Sequence, residues 1–376
     1  LTPWACYGVI GIALGYLRYA KGLPLTIRSG LQPLFGSSLS GWFGHLVDIA
    51  AILATLIGLG VTIGYGVSQF SAGLFNISGL SFLVNDSGQP TLSAQVTGLV
   101  LIVSASCVSA LSGIQRGIKW LSNINMGLSI FLVSFFIIFG STAFALSTFG
   151  YAIWDYLLAL PVMSMTVWQD TSTEVGAALQ QWQGAWNIFY WAWWIAFAPF
   201  VGLFLARVSR GRTVREYVLG AIIMPAMICL TWLAFVGATA IDLELQGIAG
   251  GSIVNADISA QLFATINLML SPDWAVALSV VVVLLLLTFL ITSADSGILI
   301  INTLASGGSQ NQKGAGHIVI WGVIFAVLIG ALLSAGGMDA LRSAMILGAL
   351  PFSVVMALMA IALIKVMVSD ALSDSD

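Results

Sequence analysis

Nine stretches of this chain are long and apolar enough to cross a lipid bilayer, and they constrain the fold more than any other feature. A membrane-spanning helix needs about 20 predominantly apolar residues. Because hydrocarbon offers no hydrogen bonds, a chain built from such stretches folds as a bundle of helices. We therefore predict an all-α integral membrane protein with about nine transmembrane helices. The predicted spans cover residues 4–20, 46–72, 95–113, 124–147, 187–206, 217–241, 276–303, 317–335 and 344–367.

The composition supports a membrane protein and gives no sign of catalysis. Hydrophobic residues make up 59% of the chain and charged residues 7%, against roughly 45–50% and ~25% in soluble domains. Cys6, Cys107 and Cys229 form no metal or disulfide pattern, and His45 and His317 lie far apart. No motif of a hydrolase, metalloprotease or nucleotide-binding loop is present. We therefore predict no enzyme activity, no cofactor and no nucleic-acid partner.

The charges alternate along the chain and predict an orientation. Eleven of the 12 Lys and Arg residues fall on one side of the predicted spans, which the positive-inside rule makes cytoplasmic. These are Arg18, Lys21, Arg28, Arg116, Lys119, Arg207, Arg210, Arg212, Arg215, Lys313 and Lys365. Arg342 alone lies on the opposite side, where the segments are acidic instead. The acids there are Asp86, Asp155, Asp170, Glu174, Asp242, Glu244, Asp257 and Asp273. We expect a multi-pass protein of the cell inner (plasma) membrane with a cytoplasmic C-terminus.

The domain organisation follows from these spans. Residues 1–368 are predicted to form one transmembrane domain, followed by a short, acidic, disordered cytoplasmic tail at 369–376. Two long external connections, 148–186 and 242–275, each contain an amphipathic stretch. An odd number of spans with an internal C-terminus places Leu1 outside, so we expect at least one further span to precede it.

The aromatic stretch from Trp186 to Gly202, WNIFYWAWWIAFAPFVG, contains no charged residue. On a helix, Tyr190, Trp194 and Phe197 fall on one face. Indole faces that line a cavity suit a cation that cannot donate hydrogen bonds, such as a quaternary ammonium group. Aromatic residues at a lipid interface are the alternative explanation.

Two other spans carry polar residues. In the second span, four glycines between residues 58 and 66 accompany Thr55, Thr62, Ser68 and Gln69, which predicts either close helix packing or an ion path. In the seventh, Thr292, Ser293, Asp295 and Ser296 interrupt an aliphatic helix. Such hydroxyls, with the Phe289 carbonyl, are oxygen ligands of the kind that sodium takes. A helix cap or an interhelical hydrogen bond is the competing explanation.

Several segments, in this order, resemble the betaine/carnitine/choline transporter family. They are TPWACYG at 2–8, HLVDIAAILATLIGLG at 45–60, GIKWLSNINMGL at 117–128, the aromatic stretch extended to Gly220, TSADS at 292–296 and ALPFSVV at 349–355. The resemblance implies twelve spans, ten of them in two inverted five-helix repeats of the LeuT-like arrangement. The resemblance implies that the chain corresponds to the family from its fourth span onward, and we therefore expect the first core helix to precede Leu1. The first repeat would continue to about residue 150, and the second would occupy about 185–368.

The resemblance also implies site residues. The substrate-binding positions are Trp4, Tyr7, Phe189, Trp191, Trp193, Trp194 and Phe197. Phe197 stands where several betaine carriers have Trp. One sodium site of the family is matched at Phe289, Thr292 and Ser293. A second is matched at Thr55 and Phe200, but Leu59 takes the place of its second threonine and cannot ligate an ion.

We therefore predict a secondary transporter that imports a compatible solute, coupled to sodium. Glycine betaine, choline, carnitine, ectoine and dimethylsulfoniopropionate are candidates. A sodium-independent exchanger of the same fold, and a channel or membrane sensor, are the alternatives. Membrane lipid is an expected partner, and a homotrimer is an open possibility. The basic loop from Arg207 to Arg215 matches one in the family and serves either as a gate or as an anchor to anionic lipid.

Overall fold

The structure, a computed structural model, describes residues 1–112, 119–169, 172–307 and 314–373. Its regular elements are helices, and none of the described residues forms an extended strand. The helices are α1 (Thr2–Tyr19), α2 (Gln32–Phe35), α3 (Trp42–Ser78), α4 (Leu92–Ser112), α5 (Lys119–Phe139), α6 (Thr142–Met165), α7 (Glu174–Trp182), α8 (Phe189–Val208), α9 (Val214–Val218), α10 (Met224–Trp232), α11 (Ala238–Leu245), α12 (Gln261–Met269), α13 (Pro272–Ala305) and α14 (Ala315–Ser373).

Eight helical stretches of the described chain are long and apolar enough to cross a membrane, which confirms the predicted class. In two of them, wider helical turns at Gln183–Ile188, Leu219–Ile223 and Leu233–Gly237 join consecutive helices. The stretch counted as α14 contains two predicted spans, because Gly336 and Gly337 leave helical geometry and divide it. Helix α1 is continuous at its predicted place but is not among the eight.

The predicted single span 124–147 is wrong. Helix α5 ends at Phe139 and α6 begins at Thr142, so the apolar run is divided between two helices. The backbone turns at Gly140, where the hydroxyl of Thr239 lies so close that a Cβ would collide with it. The same hydroxyl accepts the N–H of Ser141 at 3.1 Å. Helix α6 then fills part of the connection 148–186, for which we predicted only one short amphipathic helix.

Helix α3 lies at the centre of the bundle and packs against α4, α8, α13 and α14. Helix α8 in turn packs against α1 on another side. Close approach of α3 and α13 depends on Gly297, since a Cβ there would overlap with a methyl group of the buried Leu59. The aromatic stretch lies in α8 and therefore packs against both α1 and α3.

Asp295 is a fully buried carboxyl group at the contact between α4 and α13. The hydroxyl of Ser109 donates to its Oδ2 at 2.6 Å, and that of Ser296 donates to Oδ1 at 3.0 Å. One turn away, Ser106 Oγ donates to the Ile291 carbonyl at 3.1 Å. Of the two explanations offered for this polar segment, the interhelical hydrogen bond therefore describes Asp295.

We expect Asp295→Ala to destabilise the protein by about 1–3 kcal/mol, because Ser109 then loses its acceptor in a buried site. Asp295→Asn keeps an acceptor and should cost less. Thermal unfolding in detergent measures both, with Asp273→Ala at the exposed start of the same helix as the control. Equal losses for the Asn and Ala variants would contradict a role in hydrogen bonding alone.

The predicted disordered tail is wrong for residues 369–373, which continue α14. Lys21 Nζ lies 2.6 Å from Asp370 Oδ1, and the Tyr16 hydroxyl donates to the same carboxylate. These contacts tie the end of α14 to the end of α1. Residues 374–376 lie outside the described residues, as do Arg116, Asp170 and Lys313 of the orientation argument.

Both amphipathic stretches in the long connections are helices, α7 and α12. The connection before α12 is ordered by Glu244, whose carboxylate accepts the backbone N–H groups of Gly251, Ile253 and Val254 at 2.9–3.0 Å. This fixes the segment that continues to Asp257. The orientation, the two repeats and the role of the arginine loop stay predictions.

Candidate functional site

Side chains of α8 contribute to three separate aromatic groups rather than one. The wide turn Gln183–Ile188 leads directly into α8, which begins at Phe189. Consecutive residues on a helix point about 100° apart, so neighbours such as Trp193 and Trp194 contact different helices. The helices that surround α8 therefore decide which of the seven predicted substrate residues lie in the same cluster.

The first aromatic cluster consists of Trp4, Tyr7, Tyr190 and Trp194. Ring centroids are 5.4 Å apart for Trp4 and Trp194, 4.9 Å for Tyr7 and Trp194, and 5.6 Å for Trp4 and Tyr7. Tyr190 adds a fourth ring 5.9 Å from Trp194. At these separations the rings contact each other, so an ammonium group fits between them only after they move apart. The structure thus brings together three of the seven predicted residues across the α1–α8 contact.

The second aromatic cluster consists of Tyr65, Phe189 and Trp193. Tyr65 stacks on Trp193 with centroids 5.6 Å apart and planes inclined by 24°. Phe189 lies 5.4 Å from Trp193 and 6.1 Å from Tyr65. The indole Nε1 of Trp193 donates to Thr62 Oγ1 at 2.9 Å, which fixes the ring against α3. The guanidinium of Arg342 lies 5.2 Å from the centroids of both Tyr65 and Phe189.

Phe197 belongs to neither cluster, and Trp191 lies at the edge of the first, with its ring centroid 6.3 Å from that of Tyr190. Phe197 pairs with Phe200 at 5.9 Å and lies beside Gly58, where a Cβ would come within 3.3 Å of its ring. Trp191 is 37% exposed and lines a groove of about 700 Å³ together with Trp168 and Trp182. Of the residues that the resemblance assigned to one box, Phe197 thus lies apart from the first cluster, and Trp191 contacts that cluster at Tyr190.

The first predicted sodium residues line a cavity of about 380 Å³ between α5, α8 and α13. Its walls include Ser122, Asn125, Ser129, Phe200, Phe289, Thr292, Ser293 and Ser296. The Thr292 hydroxyl is within 3.0 Å of the Thr288 carbonyl and 3.1 Å of the Phe289 carbonyl, and it accepts from Asn125 Nδ2 at 3.0 Å. Asn125 Oδ1 is buried without a hydrogen-bond partner in the described part of the chain.

This oxygen set suits a hard cation. Hydroxyl and carbonyl oxygens are the ligands that such cations prefer, and a buried acceptor without a partner carries an energetic cost that a cation would remove. Asn125, Thr292 and Ser293 line the same cavity, so their side-chain oxygens are the candidate ligands for such an ion.

The second predicted sodium pair is less favourably arranged. Phe200 lines the cavity just described, whereas Thr55 is buried within α3. Its hydroxyl oxygen has no hydrogen-bond partner among the described residues. Leu59 packs against Gly297 and contributes no oxygen there.

Sequence reasoning missed Tyr65 and Asn125 as residues of these sites. It named Arg342 but missed the contacts that Arg342 makes. The sequence does mark Arg342 as unusual, because it is the one basic residue on the opposite side of the predicted spans. Asn125 is a polar residue within a family-like segment, but its partner Thr292 is 167 positions away. Nothing in the sequence around Tyr65 indicates that it contacts Arg342, 277 positions later.

Comparisons with known proteins agree on one family. A sequence model described as a betaine/carnitine/choline family transporter matches residues 1–372. The chain is 37% identical over 368 residues to a glycine betaine/proline/choline transporter of Vibrio parahaemolyticus, with 97% of the chain and 62% of the relative covered. It is 36% identical to an osmo-dependent choline transporter of Acinetobacter baylyi, covering 97% and 51% respectively.

A glycine betaine transporter of Bacillus subtilis is 33% identical, with 96% of the chain and 66% of that relative covered. The chain thus spans between about half and two thirds of the length of these three relatives. All three are named transporters, which supports the prediction that the chain is not an enzyme.

Proposed function

The chain belongs to the betaine/carnitine/choline transporter family, and from that premise we propose that the protein imports a compatible solute with a methylated onium group, coupled to sodium, by alternating access. The observation that carries the proposal is the first aromatic cluster, where Trp4 and Tyr7 of α1 meet Trp194 of α8. The relatives named for glycine betaine and choline support the solute class.

The first aromatic cluster suits the onium end of such a solute. A quaternary ammonium group cannot donate hydrogen bonds, so the negative faces of aromatic rings are its natural partners. Each ring contributes about 0.5–2 kcal/mol, and three rings give a few kcal/mol before other contacts are added. Because the rings now contact one another, the solute-bound state requires them to separate. The solute therefore favours a second arrangement of α1 and α8, which is the differential binding that alternating access requires.

Sodium would act from the α5–α13 cavity. Thr292 and Ser293 provide hydroxyl oxygens from α13, and Asn125 provides an amide oxygen from α5. A cation held there would stabilise one relative position of these two helices, and Phe200 of α8 lies in the same cavity wall. Since α8 carries Trp194, sodium and solute would both bias the position of α8, and their affinities would then be linked. We propose one sodium ion in this cavity and no second ion at the pair of Thr55 and Phe200, because Leu59 supplies no side-chain oxygen there.

Transport by the complete gene product tests the proposal. We would express the gene in cells that lack their own osmolyte uptake and measure labelled glycine betaine, choline and carnitine with and without a sodium gradient. Sodium-dependent uptake of at least one solute is expected. Uptake that is indifferent to sodium would favour the exchanger, and uptake of none would overturn the proposed function. The same cells report the cytoplasmic C-terminus and inner-membrane location through a C-terminal reporter.

A further inference from the structure

A cavity of about 640 Å³ lies on the far side of the second aromatic cluster. It is bounded by α3, by the segment before α4, by the segment before α12 and by α14 just after the break at Gly336 and Gly337. Its charged wall residues are Asp257, Asp339 and Arg342. Within the part of the chain that the structure describes, Arg342 is the cavity's only Lys or Arg.

Arg342 is held in place by aromatic rings rather than by a strong ion pair. Its guanidinium lies over Tyr65 and Phe189, and Nε donates to the Tyr65 hydroxyl. Asp339 Oδ1 is 3.5 Å from Nη1, but the Asp339 side chain is 89% exposed, so water weakens that attraction. Among the described residues, Nε and Nη1 have protein partners, which leaves Nη2 to bind a solute.

The second aromatic cluster places this guanidinium beside predicted solute residues of α8, since Phe189 and Trp193 both belong to that cluster. Tyr65, which contacts Arg342, stacks on Trp193, and Trp193 adjoins Trp194 of the first cluster in the chain. The guanidinium thus contacts α8 from its α3 side, at the predicted solute residue Phe189, while Trp4 and Tyr7 contact α8 from the α1 side.

We propose that Arg342 is a specificity-determining residue that selects solutes bearing a carboxylate as well as a methylated ammonium group. This proposal rests on the proposed function and names the solute class for it: zwitterions in preference to cations such as choline. A guanidinium attracts a carboxylate through charge-assisted hydrogen bonds, here from Nη2, and it repels a solute that is only positive.

The two cavity acids complete the charge pattern. Asp257 and Asp339 attract the ammonium end of a solute, while Arg342 attracts the carboxylate end. A zwitterion therefore satisfies charges of both signs. Choline satisfies the acids and is opposed by the guanidinium. Removing Arg342 should shift selectivity toward choline, and removing Asp257 should shift it away from choline.

Uptake kinetics of Arg342→Gln and Arg342→Lys in the complete gene product test this. We expect the Gln variant to raise the KM for glycine betaine about tenfold, the usual size of a lost charge-assisted hydrogen bond. The KM for choline, or its Ki as a competitor of betaine uptake, should stay constant or fall. The Lys variant keeps the charge and should retain part of the preference.

Asp257→Asn is the matched variant on the same cavity. It should weaken choline more than glycine betaine, so the betaine-to-choline ratio moves opposite to that of Arg342→Gln. Equal changes for both solutes, or ratios that move in one direction for both variants, would overturn the selectivity proposal while leaving the proposed function intact. A wild-type protein that transports none of glycine betaine, choline and carnitine would instead remove the proposed function, and this inference with it.

Discussion

Trp194→Ala is expected to lower uptake of every methylated solute at least about 30-fold, the equivalent of about 2 kcal/mol of lost solute binding. Trp194 is the α8 ring that contacts α1, since both Trp4 and Tyr7 lie against it. Truncation removes its cation–π face and leaves Trp4 and Tyr7 without the ring that positions them. Initial uptake rates over a range of solute concentrations measure the effect.

Trp191→Ala is the informative control for this prediction. It is the same truncation on the same helix, and family resemblance assigns both residues to the box. The geometry distinguishes them, because Trp194 contacts Trp4 and Tyr7, whereas Trp191 lines the groove with Trp168 and Trp182 and contacts the cluster at Tyr190. We expect a clearly smaller loss for Trp191→Ala and partial retention for Trp194→Phe. Equal losses for the two Ala variants would show that α8 needs its tryptophans for packing and not for solute binding.

The class of the fold was predictable from the sequence, because hydrocarbon leaves few solutions for apolar stretches. The error at 124–147 has the same origin. Hydropathy continues without interruption across Gly140 and Ser141, so it cannot show where one helix ends and another begins. That break depends on Thr239, which is almost 100 residues away and reaches the turn only in the folded chain.

Helical periodicity predicted part of the aromatic site. It correctly placed Tyr190 and Trp194 on one face, and their rings lie 5.9 Å apart. It could not separate Phe197 from them, because that depends on where α3 approaches α8 at Gly58. The partners of Trp193, namely Tyr65 and Thr62, also come from α3. Which side chains share a cavity is decided by helix packing, which local sequence does not record.

The double variant Thr292→Ala, Ser293→Ala is expected to weaken strongly the stimulation of uptake by sodium. Both hydroxyls line the α5–α13 cavity, and their loss leaves Asn125 Oδ1 and backbone carbonyls as the remaining oxygens. We expect the sodium concentration for half-maximal uptake to rise at least about tenfold, which corresponds to about 1.4 kcal/mol. Asn125→Ala should raise it by a smaller factor. Thr292→Ser, which keeps a hydroxyl, is the matched control.

Linkage makes this prediction more demanding than loss of activity alone. If sodium and solute favour the same position of α8, sodium must lower the dissociation constant of the solute by the same factor by which solute lowers that of sodium. Binding measured on the purified wild-type protein, with each ligand varied at fixed levels of the other, should give matching factors well above one. In the double variant both factors should fall toward one, whereas a variant that is merely misfolded would lose solute binding even without sodium. Matching factors that survive in the double variant would place the coupling ion elsewhere, and the buried hydroxyl of Thr55 would then become the residue to test.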